Sequence, residues 1–182
     1  LLGLVGQVAW VVENMYLNLF VYDTITDDPT TIAIMVAVSA ISATAAAFVV
    51  GAWSDRVGRR RVFIAAGYVL WGVSTMLFGF ATVDTLAGLV PVASAAAAAA
   101  AAVIAIDAIM SFLGAGANDA SFNAWVTDIT DEDNRGRVEA VLTALPLIAM
   151  LLVFGGLDGL TKNGDWELFF IVTGALMIIA GG

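Results

Sequence analysis

The sequence predicts an all-α membrane protein with six transmembrane helices, and three observations carry that prediction. Residues of the AVILMFWYC set make up 61% of the 182 residues, and charged residues 13%. That is about half the roughly 25% charged content of soluble proteins, and seven basic plus 16 acidic side chains cannot cover a globular domain of this size. Thr30–Ser54, Val62–Val83, Thr85–Ile106 and Ala140–Leu157 each run at least 18 residues without a charge. A helix needs roughly 20 to cross about 30 Å of hydrocarbon. The third observation is the placement of the basic residues, which alternates with the spans.

The first span, residues 1–22, closes on the polar stretch Asp23-Thr24-Ile25-Thr26-Asp27-Asp28-Pro29. The second, 30–50, begins just after Pro29, a favoured helix-start arrangement. The third covers 62–81. Thr82–Ser94, with Asp84, Gly88 and Pro91, reads as a connection that can hold a short surface helix. The fourth span, 97–127, starts within the tract Ala95–Ala102; alanine is the best helix former and lets helices approach closely in lipid. The fifth is 138–157 and the sixth 166–182. Strands fit poorly, because the apolar runs are long and lack the period-2 alternation of a barrel.

Arg56, Arg59, Arg60 and Arg61 lie between spans two and three, Arg135 and Arg137 between spans four and five, and Lys162 between spans five and six. Even-to-odd connections thus hold six of the seven positive charges. The positive-inside rule places those connections, and with them the N-terminus, in the cytoplasm of a multi-pass cell-membrane protein. A missed or invented helix would scramble this alternation. The chain opens at Leu1 inside one apolar run and stops at Gly182 within another, so it is expected to be part of something longer.

Composition excludes several classes. The chain has no Cys and no His, which removes disulfide scaffolds, thiol or imidazole catalysis and His/Cys metal or haem sites. A net charge of −9 argues against nucleic acid as a partner. The only lysine, Lys162, lies in a polar connection, so a retinal pigment is excluded. No cofactor and no metal centre is expected, and no enzymatic activity.

The connection Gly51-Ala52-Trp53-Ser54-Asp55-Arg56-Val57-Gly58-Arg59-Arg60-Arg61 is the most informative stretch. A positive-inside anchor explains its arginines but not its two glycines or its aspartate. Gly51 and Gly58 are expected to allow the positive φ and close approach of a tight turn. Asp55 is expected to neutralise neighbouring arginines and to accept backbone N–H bonds at a helix N-terminus. The spacing G-x-x-x-D-R-x-G-R-R-R between spans two and three resembles the signature loop of the major facilitator superfamily. Matched residue by residue, the loop comprises Gly51, Asp55, Arg56, Gly58, Arg59 and Arg60. The resemblance implies a conformational latch that touches the second half of a transporter. It also implies two three-helix inverted repeats, spans one to three and four to six, forming the N-terminal half of a twelve-helix protein whose C-terminal half is absent here. Asn118–Asp128, followed by Asn134-Arg135-Gly136-Arg137, is similar to members near the cation-coupled glycoside (melibiose-type) symporters. The Gly-Pro pair of drug antiporters is missing from span five, which holds Pro146 and Gly155-Gly156.

Charged groups at membrane depth cost on the order of 2.5–3.5 kcal/mol each and need a reason to be there. Glu13 and Asn14 fall near the middle of span one. At 100° per residue Gln7, Asn14 and Asn18 share a narrow arc, with Glu13 about 100° from Asn14. Span four carries Asp107, Asn118, Asp119 and Asn123. Asp107 and Asp119 are 12 residues apart, about 18 Å of helix, and so cannot serve one compact site. Glu13, Asn14, Asp107, Asn118 and Asp119 are the candidate substrate- or cation-binding residues. The resemblance implies that spans one and four line the central cavity. An unpaired mid-span glutamate should carry a proton or hold a cation or substrate group, which makes Glu13 the leading coupling acid and Asp119 the second.

The function expected is secondary active transport of a small polar solute by alternating access, as cation-coupled uptake of a sugar-like substrate with Na+ or H+. Its partners are the solute, the bilayer and the C-terminal half. The alternatives are export of a small molecule, a membrane-embedded enzyme, for which Asp128, Asp131, Glu132 and Asp133 could hold Mg2+, and a non-transporting scaffold.

Overall fold

The computed structural model describes residues 1–182, the side chains of Val92 and Ala93 excepted. Among these residues all regular structure is helical. Helix α1 runs Leu2–Thr24 and is wound as a π-helix over Val12–Tyr16. Helix α2 is Pro29–Val57, and α3 is Arg60–Phe80, whose last three residues form a 3-10 turn. The short α4, Val83–Ala87, leads into α5, which runs as Val92–Gly114, a π-helical segment Ala115–Phe122, and Asn123–Ile129. Helix α6 is Arg135–Gly156, α7 is the short Asp158–Lys162, and α8 is Trp166–Gly181. Five of these helices are long and apolar enough to cross a membrane, whereas α8, with 16 residues, is shorter.

Local chemistry sets several boundaries. Pro29 opens α2, and the Asp28 carboxylate accepts the Thr30 N–H at 2.9 Å, satisfying one of the free donors at the helix start. Gly58, at φ 65°, ends the helix in the left-handed conformation, with its N–H on the Ser54 carbonyl at 3.0 Å. Gly51 departs from the expected turn. It lies inside α2, and Gly58 and Gly164 are the only positive-φ residues described. At 29 residues, α2 is roughly 44 Å long, so its final turns overshoot the hydrocarbon and the turn waits for Gly58. Asp55 departs as well, because it sits in the last turn of α2 and not at a helix N-terminus.

Small residues decide which helices touch. Helix α3 packs most extensively against α8, α5 against α2, and α1 against α6. Exchanging the first three spans with the last three maps the pair α1–α6 onto α5–α2 and maps α3–α8 onto itself. This is the arrangement of two related three-helix units. On α5, Ala95, Ala99, Val103, Asp107, Ser111 and Ala115 recur every fourth residue and are all buried. The alanine tract therefore supplies a close-contact face. Helices α2 and α6 stay mostly uncovered, and large apolar side chains such as Ile41, Phe48, Leu147 and Leu151 point outward from them.

The connections segregate to two ends. One cleft gathers Asp23 from the end of α1, Thr82 and Asp84 from the connection after α3 and its short α4, Gly164 from the connection after α7, and Glu167 from the start of α8. At the other end, Leu2 and Gly181 meet Arg61 and Trp125. Tyr16 ties the first span to α7 by donating its hydroxyl to Asp158 at 3.1 Å. The Lys162 ammonium, 2.5 Å from the other Asp158 oxygen, holds that carboxyl below the usual carboxylate range, with the tyrosine hydroxyl adding to the effect.

Candidate functional site

Glu13 lies within the π-helical segment of α1 and is buried, at 8% exposure. One carboxylate oxygen accepts the Ser111 hydroxyl of α5 at 2.6 Å. One turn earlier on α5, Asp107 is 2% exposed and accepts the Ser39 hydroxyl of α2 at 2.8 Å. Three helices are thus linked through two acids and two serines. Trp10, Glu13, Asn14, Asn18, Met35, Ser39 and Asp107 line one cleft of about 170 Å³.

The π-helical winding explains how Glu13 joins that cleft. A uniform 100° step puts Glu13 well off the arc of Asn14 and Asn18. Hydrogen bonding from i to i+5 slows the rotation of the chain, so residues five apart, such as Glu13 and Asn18, come toward one face. Asn14 is exposed and donates to the Trp10 carbonyl at 2.8 Å, while Asn18 donates to the Asn14 carbonyl at 2.9 Å.

The other candidates on α5 do not line this cleft. Asn118, within the second π-helical segment, is buried; its side-chain oxygen accepts the Tyr68 hydroxyl at 2.8 Å and its amide donates to Asp119 at 3.0 Å. Asp119 itself is exposed. Sequence reasoning placed Glu13, Asn14 and Asp107 among the candidates, and the fold brings these three together. It leaves Asn118 and Asp119 in a second polar cluster with Tyr68. Ser39 was missed, because nothing in the apolar run Ile32–Val50 distinguishes it from Ser42 or Thr44 until Asp107 is seen beside it.

At the arginine-rich end, Arg60 opens α3 and bridges two acids. Its guanidinium lies 2.7 Å from Asp55 at the end of α2 and 2.6 Å from Asp128 at the end of α5. Arg61 stands over the Trp125 ring at 5.9 Å. Arg56 falls in the last turn of α2, where a cation is favoured by the helix dipole. Arg59 is exposed beside Gly58. Asp128 is the residue missed here, since it belongs to an acidic run that reads as solvated loop.

A bundle of apolar helices with an open polar cleft among α1, α2 and α5, and charged connections at both ends, is that of a multi-pass membrane protein of the transporter class. The family model described as the Major Facilitator Superfamily matches residues 2–182, and the chain belongs to that superfamily. Its members are transporters and not enzymes. Comparison with curated proteins gives no match, and comparison with solved structures gives none.

Proposed function

We propose that this transporter carries out cation-coupled uptake of a small, sugar-like polar solute, as a relative of the glycoside symporters, with the Glu13–Asp107 cleft as the coupling site. The observation that supports this is a pair of buried carboxylates at one cleft that no basic residue lines. Charge of one sign at membrane depth calls for a mobile positive partner. The outward apolar faces of α2 and α6 fit contact with a second helical bundle as well as lipid, as alternating access requires. The test is uptake by the full-length protein in liposomes under imposed Na+ or H+ gradients, scanning a panel of labelled sugars and glycosides. Uphill accumulation that follows one gradient is expected. Equal accumulation with the gradients collapsed would sink the coupling.

The proposed orientation places the arginine-rich end and the N-terminus in the cytoplasm. Asp27, Asp84 and Glu132 are all exposed and suit labelling. Cysteines at Asp27 and Asp84 should react with impermeant reagents outside intact cells, and a cysteine at Glu132 only from inside. Outside labelling of Glu132 would overturn the orientation.

Asp55, Arg56, Gly58, Arg59 and Arg60 are proposed as a latch, with Gly51 in the helix leading to it. Asp55→Asn removes one of the two acids that Arg60 bridges, far from the cleft. Transport rate should fall roughly tenfold, about 1.4 kcal/mol, while substrate affinity stays within about twofold. An unchanged rate, or loss of binding alone, would refute the latch.

A further inference from the structure

Helices α2 and α3 run away from the Gly58 turn, and both pack on the π-helical segment of α5, yet they barely touch each other. Small residues bring each of them onto α5. A Cβ on Gly116 would stand 2.9 Å from the Val50 side chain, and one on Gly67 would stand 2.5 Å from that of Ala117. Between α2 and α3 is left a groove of about 470 Å³, lined throughout by aliphatic, aromatic and glycine residues. Trp53 and Val57 stand on one wall, Ala66 and Leu70 on the other, and all four are exposed. The α3 wall, from Val62 to Leu70, is about 12 Å long. One leaflet's hydrocarbon is roughly 15 Å deep, half of the bilayer core.

At its turn end the groove meets a second cleft, of about 500 Å³, and Val62 lines both. This cleft carries Arg59, Arg60 and Arg61 with Asp55 and Asp128. Arg60 takes up both acids. Among the described residues Arg59 and Arg61 form no ion pair, and Arg61 stands over the Trp125 ring. Three positive and two negative side chains leave the cleft with one positive charge in excess.

We infer that the cleft and the groove together bind one anionic phospholipid, with its phosphate on Arg59 and Arg61 and one acyl chain lying between α2 and α3. The sequence of chemistry from the turn into the bundle is that of a lipid: unpaired guanidinium groups, then an aromatic pair, then a purely apolar channel. Trp53 and Phe63 form that pair, with ring centroids 5.2 Å apart, and tryptophan favours the depth where headgroup meets hydrocarbon. Guanidinium groups bind phosphate oxygens through paired N–H bonds, and basic pockets between spanning helices suit anionic headgroups. A lipid of net charge −1 offsets the excess positive charge, whereas a zwitterionic lipid leaves it standing. A helix from a protein partner would cover the apolar channel too, but it would shut Trp53 away from lipid. The site is separate from the Glu13–Asp107 cleft and does not rest on coupled uptake.

The experiment places the full-length protein in vesicles that mix phosphatidylcholine with phosphatidylglycerol, either one carrying brominated acyl chains. Bromine quenches tryptophan at contact distance, and Trp53→Phe identifies the share of the signal that belongs to the groove. Each unpaired arginine near an anionic headgroup is worth about fivefold in association. Brominated phosphatidylglycerol should therefore quench Trp53 at about a tenth of the mole fraction that brominated phosphatidylcholine needs, and the effect should saturate. The double variant Arg59→Gln, Arg61→Gln should bring the two lipids to within about twofold of each other. Ala66→Phe fills the channel and keeps the arginines, so it should lower quenching by both lipids. The comparison of the two lipids on the unmutated protein needs no variant to fold. Equal quenching by both lipids would overturn the anionic site, and so would a preference that survives loss of both arginines. Failure of either lipid to quench Trp53 would show a protein surface over the groove and overturn it as well.

Discussion

Gly72→Val is expected to unfold the helical core at temperatures where the parent chain stays intact. Helices α3 and α8 meet backbone to backbone at this residue: a Cβ on Gly72 would stand 2.5 Å from the Gly174 carbonyl oxygen and 2.8 Å from the Ile178 side chain. The contact is reciprocal, because a Cβ on Gly174 would collide with the Gly72 carbonyl. A carbonyl oxygen cannot rotate away as a side chain can, so the two helices must separate. Overpacking a tight contact costs about 1–3 kcal/mol, and occasionally more. Removing a helix glycine returns only about 1 kcal/mol, and less for a β-branched replacement. Gly72→Val and Gly174→Val should therefore each destabilise by roughly 3 kcal/mol, and the double variant by less than the sum, because both fill one gap. Gly136→Ala, where nothing lies within 4 Å, is the control and should stay within about 0.5 kcal/mol. Thermal unfolding in detergent, followed by tryptophan fluorescence, reads all four variants. A Gly72→Val protein as stable as the control would mean that the helices do not meet there.

The sequence carried the helices much further than it carried their faces. The apolar runs, the Pro29 start and the Gly58 stop each act through local physics, and Pro29 opens α2 while Gly58 ends it. Gly51 and the arginines that follow predict an end to span two at Val50. A helix interior tolerates one glycine for about 1 kcal/mol, so the chain continued to Val57. The two π-helical segments had no local signature. They fall on the first and fourth spans, which are equivalents in the two three-helix units, and they re-aim Glu13 and Asn118 relative to an ideal helix. Side-chain identity on the candidate acids was legible; the partnership of Asp107 with Ser39 and of Glu13 with Ser111 was not. Those pairs join residues 68 and 98 positions apart, and only the packing of α1, α2 and α5 brings them together. Gly72 and Gly174 were likewise invisible as partners, since each alone reads as an ordinary small residue in an apolar run.

Glu13→Gln should preserve insertion and expression and abolish uphill accumulation. The substitution keeps an oxygen that can accept the Ser111 hydroxyl and replaces the unpaired Oε2 with an amide that donates. That donor can reach toward the free oxygens of Asn18 or Asp107, so the cleft is satisfied without an ion. The variant therefore imitates the occupied site permanently, and its helices keep their contacts. Coupling requires the opposite: a site whose need for positive charge is met on one side of the membrane and relinquished on the other. One elementary charge moved across 100 mV is worth about 2.3 kcal/mol, which sustains an accumulation ratio of about 50-fold. Full-length protein in vesicles should lose that ratio, with internal solute settling near the external concentration. Counterflow exchanges labelled for unlabelled solute and needs no gradient, so it should persist at a substantial fraction of the parent rate. Paired accumulation and counterflow assays on the same vesicles separate the two effects. Normal accumulation would reduce Glu13 to a packing residue that joins α1 to α5 through Ser111. Loss of both activities in a folded protein would place the carboxylate in solute binding instead of coupling.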